Sequence, residues 1–287
     1  MKVQRLAIDY SKELTTASFS ALLELMTALR HYRDSLTLIG GWVPFLLIDE
    51  FGPREADFSH VGSIDIDLAV DPEKVGTGEY SEIVAIIATR GYQMRTSEGL
   101  PIPFSFQKVL KVNANGPQYT IQVDFLTCKQ IDTGRHRHRN VQPTLKARIA
   151  EGCDLAFSHN FKIRISGKLP GNGETDLEIS ILNISGCLGM KGIVLGERYK
   201  EKDAYDIFSV VSQCLEGPTD VAEQVQPEIS NALIKRGIDV IRSKFRNQRA
   251  EGPSWVAEFL GSNDPDLRDR IQAEAYVLLK EFIDHIS

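Results

Sequence analysis

The chain lacks a long apolar run. Nowhere in its 287 residues does an apolar stretch approach the roughly 20 residues that cross a bilayer. Its start, Met1 to Tyr10, mixes charged and apolar side chains where a signal peptide would carry an apolar segment. The expectation is a cytoplasmic protein with no membrane partner. Cysteine is sparse: Cys128, Cys153, Cys187 and Cys214 lie far apart and form no C-x-x-C pair, so neither a zinc knuckle nor a redox motif is indicated and free thiols in a reducing compartment are expected. Also missing are the G-x-x-x-x-G-K-[ST] phosphate loop, the G-x-S-x-G elbow, H-E-x-x-H and G-x-G-x-x-G, which removes support for the chemistries those motifs carry. Positive charge is in deficit, with a net charge of −6, unlike a protein coated in basic residues for nucleic acid.

What is present is the balance of a globular protein, 42% hydrophobic and 25% charged residues, at a length that buries a sizeable core. Charge is unevenly placed. Residues 128–168 hold nine Lys/Arg against three Asp/Glu, and residues 233–249 hold six against one. Each stretch fits local binding of a polyanion, and each alone also fits an ordinary solvated face. The basic segment Arg135-His136-Arg137-His138-Arg139 could guide a nucleic-acid acceptor or NTP phosphates, or be a solvated loop.

Helical and strand patterns alternate up to about residue 182, and helix dominates after it. Residues 11–32 carry an apolar stripe at helical spacing, with Leu22, Leu25, Met26 and Leu29. Leu36 to Ile39 reads as a short strand ending in Gly40-Gly41, and Trp42 to Asp49 as a helix opening. Ile64 to Val70 alternates apolar and acidic residues with the period of a strand. Tyr80 to Thr89 reads as helix. Phe104 to Val112 and Tyr119 to Leu126 are strands joined by Asn115-Gly116, a hairpin turn signal. Phe161 to Ser166 and Leu177 to Leu182 are two more. Ser185 to Cys214, in one piece or two, and residues 219–247, 253–260 and 266–285 read as helix. The expected fold is α+β, with a mixed sheet and flanking helices over residues 1–182 and a helical domain over residues 183–287.

The chemistry centres on Ser63-Ile64-Asp65-Ile66-Asp67-Leu68. On a strand, Asp65 and Asp67 project side by side while Ile64, Ile66 and Leu68 enter a core. Two adjacent carboxylates repel, and a divalent cation relieves that; Mg²⁺ takes oxygen ligands and is commonly shared with a substrate's phosphates. An edge strand with an acidic solvent face accounts for Asp-x-Asp equally well in isolation. Upstream, Gly40 and Gly41 lead from a strand into a helix, where backbone can approach a phosphate and free N–H groups face an anion. Ser63 can add a hydroxyl. Downstream, Asp124 shares a strand face with Gln122, opposite Val123 and Phe125. If its strand neighbours the first, Asp124 supplies a third carboxylate, as general base or second metal ligand.

A Gly-Gly turn, Asp-x-Asp on a strand and a later strand aspartate resemble the nucleotidyltransferase superfamily of DNA polymerase beta. Within it the Gly-Gly-Trp and Asp-Ile-Asp-Leu pieces look like those of aminoglycoside-type and AbiEii-type transferases. A second block, Lys191, Arg198, Lys202, Asp203 and Asp206, resembles the pattern of AbiEii-type toxins, with Lys202 in place of arginine. On one continuous helix Lys191, Arg198, Lys202 and Asp206 fall near one stripe. The glycines Gly186, Gly189, Gly192 and Gly196 either admit a closely packed element or break that helix, leaving Lys191 to be placed by tertiary structure. An exposed helix laced with ion pairs fits the charges as well.

The resemblance implies an Mg²⁺-dependent (or Mn²⁺-dependent) enzyme. Asp65, Asp67 and Asp124 would be metal ligands and catalytic residues, Lys191 and Asp206 further catalytic residues. Gly40, Gly41, Ser63, Lys191, Arg198 and Lys202 would bind the nucleotide. It also implies an acceptor such as the 3′ end of tRNA and a cognate antitoxin protein. Two other readings stand beside it: transfer to a small molecule such as an aminoglycoside, and a non-catalytic binding protein on the same scaffold.

Overall fold

A computed structural model describes residues 6–53, 58–75, 82–111, 116–129, 137–171, 173–261 and 264–286. Asn115, Tyr80, Arg135 and His136, which figure in the sequence expectations, lie outside them. The architecture is α+β, with a mixed open sheet and flanking helices. Among the described residues no helix is long and apolar enough to cross a membrane. The chain divides into two compact units, one formed by Lys12–Trp42 and Ser63–Leu182, the other by Met1–Ser11, Val43–Gly62 and Asn183–Ser287.

The first unit carries the sheet. It opens with α1 (Lys12–Ala28), followed by β1 (Leu36–Ile39), from which Gly40-Gly41 lead into α2 (Trp42–Phe51). Then come β2 (Ile66–Val70), α3 (Ile83–Thr89), β3 (Gln93–Ser97), β4 (Leu100–Lys111), β5 (Gln118–Thr127), β6 (His138–Asn140), β7 (Lys146–Ile149), α4 (Leu155–Ser158), β8 (Asn160–Lys168) and β9 (Glu174–Leu182). The sheet runs β3-β4-β5-β2-β1-β9-β8, with β7 pairing β5 and β6. Hairpins make most neighbours antiparallel, but β2–β5, β1–β9 and β5–β7 are parallel. The parallel β2–β5 pair brings two strands distant in sequence edge to edge at the centre.

One sheet face is apolar. Ile66, Leu68, Ile121, Val123, Phe125 and Phe106 are all buried, and α1 lies against β5, β8 and β9. Glu24 of α1 pairs with Lys108 at 2.5 Å, and Lys108 stands opposite Ile121, which identifies the face that α1 covers. Buried polar groups on α1 are matched: Ser18 donates to the Ile64 carbonyl at 2.9 Å and accepts from Trp42 Nε1 at 3.2 Å. The strand β2 begins at Ile66, two residues later than the alternation suggests. Its antiparallel partner ends at Ile39, opposite Asp67. There Gly40, with φ +76°, turns the chain away, so Asp65 has no ladder to join and sits on a bend.

The second unit is helical: α5 (Ile184–Glu197), α6 (Glu201–Gln213), α7 (Pro218–Val225), α8 (Ala232–Lys244), α9 (Glu251–Leu260) and α10 (Pro265–His285). Asn183 caps α5 through Gly186 N–H at 2.8 Å, and Asn231 and Asp264 cap α8 and α10 in the same way. Glycine accounts for the α5–α8 crossing. A Cβ on Gly192 would lie 2.2 Å from the Gly237 carbonyl, and one on Gly237 would lie 2.1 Å from that of Gly189. Each glycine weakens a free helix by about 1 kcal/mol; here the two backbones pack in contact. The same unit takes in the body of α2, whose last residue, Phe51, accepts from Leu215 N–H at 2.9 Å.

Candidate functional site

In the sheet unit, chain register brings acidic residues together. Asp67 of β2 is the parallel partner of Asp124 of β5, so the two side chains rise from one face on strands about 4.8 Å apart. Both are half-buried, while Ile66, Leu68, Val123 and Phe125 between and beside them are buried. Gly40 closes in from β1. A Cβ there would lie 2.1 Å from Asp67 Oδ2 and 2.9 Å from its Cβ, and the positive φ independently favours glycine. The β1 turn therefore runs directly over the Asp67 carboxylate. Gly41 follows it into α2.

Asp124 is held by its neighbours. Ser105 of β4, its antiparallel partner, donates to Oδ1 at 2.5 Å. Gln122 Nε2 lies 2.9 Å from both oxygens. Arg95 of β3 donates to Ser105 Oγ at 3.1 Å, completing an Arg95–Ser105–Asp124 chain. Arg95 and Ser105 were missed by sequence reasoning. The usable signal was the hairpin: reflecting Asp124 across Asn115-Gly116 lands on Gln107, two residues from Ser105 and on the same face. Ser63, a candidate phosphate ligand, is buried and donates its hydroxyl proton to the Asp65 carbonyl at 2.9 Å. It thus shapes the bend that carries Asp65.

The donor chemistry suits a hard divalent cation. Asp65, Asp67 and Asp124 offer carboxylate oxygens, with no cysteine or histidine among them. Among the described residues no three His, Cys, Asp or Glu side chains converge as a ready-made ligand cluster. Mg²⁺ does not require one, since it commonly takes one or two protein carboxylates and completes its octahedron with water and phosphate oxygens.

The basic block belongs to the helical unit. The helix breaks after Glu197: Arg198 and Lys200 are extended, and α6 starts at Glu201. Tertiary packing, not one continuous stripe, therefore brings Lys191 to the others. Lys191 Nζ contacts Asp206 Oδ2 at 2.6 Å and Asp203 Oδ1 at 3.1 Å. Lys202 Nζ contacts Asp206 Oδ1 at 2.7 Å, and Arg198 Nε reaches Asp203 Oδ2 at 3.0 Å. Lys191, Lys202, Asp203 and Asp206 are buried; the Arg198 side chain is 49% exposed.

A sixth member, His60, is absent from the sequence expectations, since it lies 146 residues from its partner. Gly62 N–H donates to its Nδ1 at 3.0 Å, so that nitrogen is unprotonated and Nε2 carries the hydrogen given to Asp206 Oδ1 at 3.0 Å. Burial is the main cause that lowers the His60 pKa to about 4, in keeping with the neutral tautomer. Burial alone would raise the Asp206 carboxyl, but Lys191 and Lys202 beside it hold it well below the usual range. The Lys191 ammonium is held above its ordinary value despite burial, because Asp206 and Asp203 both face it. Lys202 is lowered by burial, with one carboxylate beside it and Lys191 opposing. Lys191, Lys202 and Arg198 thus surround the Asp203 and Asp206 carboxylates.

The sequence-predicted residues thus form two assemblies: Gly40, Asp67 and Asp124 in the sheet unit, and Lys191, Arg198, Lys202, Asp203 and Asp206 in the helical unit. No model of a known protein family matches the chain. A search among curated proteins finds no match either.

Proposed function

We propose that the chain is a metal-dependent nucleotidyltransferase that moves a nucleotide from an NTP to an acceptor hydroxyl, of the AbiEii-like kind. The observation that carries this reading is the register pairing of Asp67 with Asp124, with the Gly40 backbone against the Asp67 carboxylate. Two carboxylates side by side on adjacent strands repel, and a divalent cation between them relieves that repulsion.

Asp65 and Asp67 would hold Mg²⁺ or Mn²⁺, with Asp124 as a further ligand. When bound, the ion would offset triphosphate charge and polarise the α-phosphate. Gly40 and Gly41 would present backbone N–H groups to the phosphates at the start of α2. Ser63 would hold the Asp65 bend. Asp124, oriented by Ser105 and Gln122, would accept the proton of the acceptor hydroxyl. The new bond joins acceptor oxygen to the α-phosphorus, the α–β phosphoanhydride breaks, and pyrophosphate departs. In the helical unit, Lys191, Arg198 and Lys202 are candidate nucleotide-binding cations, with Asp206 positioning both lysines. An acceptor such as tRNA and an antitoxin partner belong to the same proposal.

The test incubates the protein with each α-labelled NTP, Mg²⁺ and total tRNA, with an aminoglycoside as the alternative acceptor. Transfer that vanishes in Asp67→Asn and Asp124→Asn supports the reading. Equal transfer by the wild type and both variants overturns it.

A further inference from the structure

A second cluster in the sheet unit has no part in holding the metal or the nucleotide. The short ribbon β6–β7 places His138 across from Arg148 and Asn140 across from Lys146. Arg137 precedes it. Arg137, His138, Asn140 and Lys146 line a pocket of about 340 Å³, a size in the range of ligand sites.

Lys146 and Arg148 stand two residues apart on one face of β7, with Asn140 and His138 opposite them. Among the described residues no carboxylate forms an ion pair with Arg137, Arg139, Lys146 or Arg148. The ribbon belongs to a protein whose net charge is −6, so compensating acids are plentiful elsewhere.

The aromatic groups are set in place. His138 stacks on Phe104 with ring centroids 5.1 Å apart and planes at 23°. The Arg148 guanidinium lies 5.7 Å from the same ring. Phe104 thereby holds an exposed imidazole and a guanidinium flat. Burial, together with Lys146, Arg137 and Arg148, lowers the His138 pKa, so its ring is a neutral stacking surface near pH 7 while the arginines and lysine carry the charge. Cations in a row beside a flat ring are the elements of single-strand recognition: charge follows the phosphates and the ring stacks a base.

We propose that the β6–β7 ribbon is a binding site for the sugar–phosphate backbone of single-stranded RNA. The charge is spread over two strands, with Lys146 and Arg148 about 6.6 Å apart along β7, which spans more than one phosphate. The ribbon is also tied to the acidic strand: Arg148 is in register with Leu126, two residues beyond Asp124 on β5. That this RNA is the acceptor rests on the transfer reading; that it binds does not.

The test is fluorescence polarisation of a labelled single-stranded RNA against the full chain, without metal or NTP, over a salt series. The wild type should bind, with affinity falling as salt rises. Lys146→Ala/Arg148→Ala should weaken binding tenfold or more and reduce the salt slope by about 1.4, at roughly 0.7 per lost phosphate contact on a single strand. Arg137→Ala, at an exposed position before the ribbon, should lose about half of that slope and serves if the double variant does not fold. Asp67→Asn should bind as the wild type does, which separates this site from the transfer reaction. No binding by the wild type, or an unchanged slope in folded ribbon variants, overturns the proposal. So does full displacement of the RNA by free triphosphate at equal phosphate concentration, which would mark a site for a single nucleotide.

Discussion

Gly40→Ala isolates the contact on which the acidic site is built. Two costs add. An L residue in the left-handed region loses about 1–2 kcal/mol relative to glycine. The new methyl also lands 2.1 Å from Asp67 Oδ2 and 2.9 Å from Asp67 Cβ. Rotating the carboxylate relieves the first overlap but not the second, so β1 must shift from β2, an overpacking cost of about 1–3 kcal/mol. Gly99→Ala supplies the control, because Gly99 has φ +79° and nothing within 4 Å of its virtual Cβ; it incurs the backbone cost alone. In urea melts the Gly40→Ala midpoint should fall below that of Gly99→Ala by about 0.5–1 M, for an m-value of about 2–3 kcal/mol/M. In an Asp67→Gly background, which removes both overlapped atoms, Gly40→Ala should cost no more than Gly99→Ala. Equal midpoints for Gly40→Ala and Gly99→Ala, or no coupling in the cycle, would refute the claim that the turn is pressed on Asp67.

Lys191→Met should destabilise the protein by about 3–5 kcal/mol, because Asp206 and Asp203 stay buried with one cation fewer; Lys162→Met, at an exposed ion pair, should leave the melting temperature unchanged. His60 is neutral when folded with a pKa near 4, against about 6.5 unfolded. Its contribution is therefore complete above pH 6.5 and lost as pH falls from 6.5 toward 4, by about 3 kcal/mol in total. Denaturation from pH 7.5 to 4 should show this loss in the wild type and a flatter profile in His60→Gln. Gly237→Ala should cost about 3 kcal/mol or more, since its Cβ meets Gly189 backbone. Gly196→Ala meets only Val240 methyls at 3.3 Å and should be near neutral by thermal melt.

Alternation along a strand made part of this site legible. Val123 and Phe125 inward, with Gln122 and Asp124 together on the other side, follow from the period of two, and the Gln122–Asp124 hydrogen bonds bear that out. The start of β2 did not follow, because it depends on where a neighbouring strand stops: Gly40 turns β1 away at Asp67, and Asp65 is left on a bend. Strands β3, β6 and β7 have little apolar periodicity, being mostly exposed ribbon, so nothing in the pattern announced them. Ser105 and His60 illustrate the deeper limit. Each touches a site aspartate through tertiary register, and neither carries a local signal. The helix break after Glu197 was foreshadowed by Gly196, yet the meeting of Lys191 with Asp206 across that break is a fact of packing alone.

The proposed function requires that Asp65 and Asp67, with Asp124 as a further ligand, hold a divalent cation together with a triphosphate. Titration calorimetry of Mn²⁺ into the protein, in the presence of a non-hydrolysable NTP, tests it directly. The account predicts saturable uptake by the wild type and its loss in a folded Asp67→Asn/Asp124→Asn variant. Identical isotherms for the two proteins, or no uptake by the wild type with any triphosphate, would contradict it.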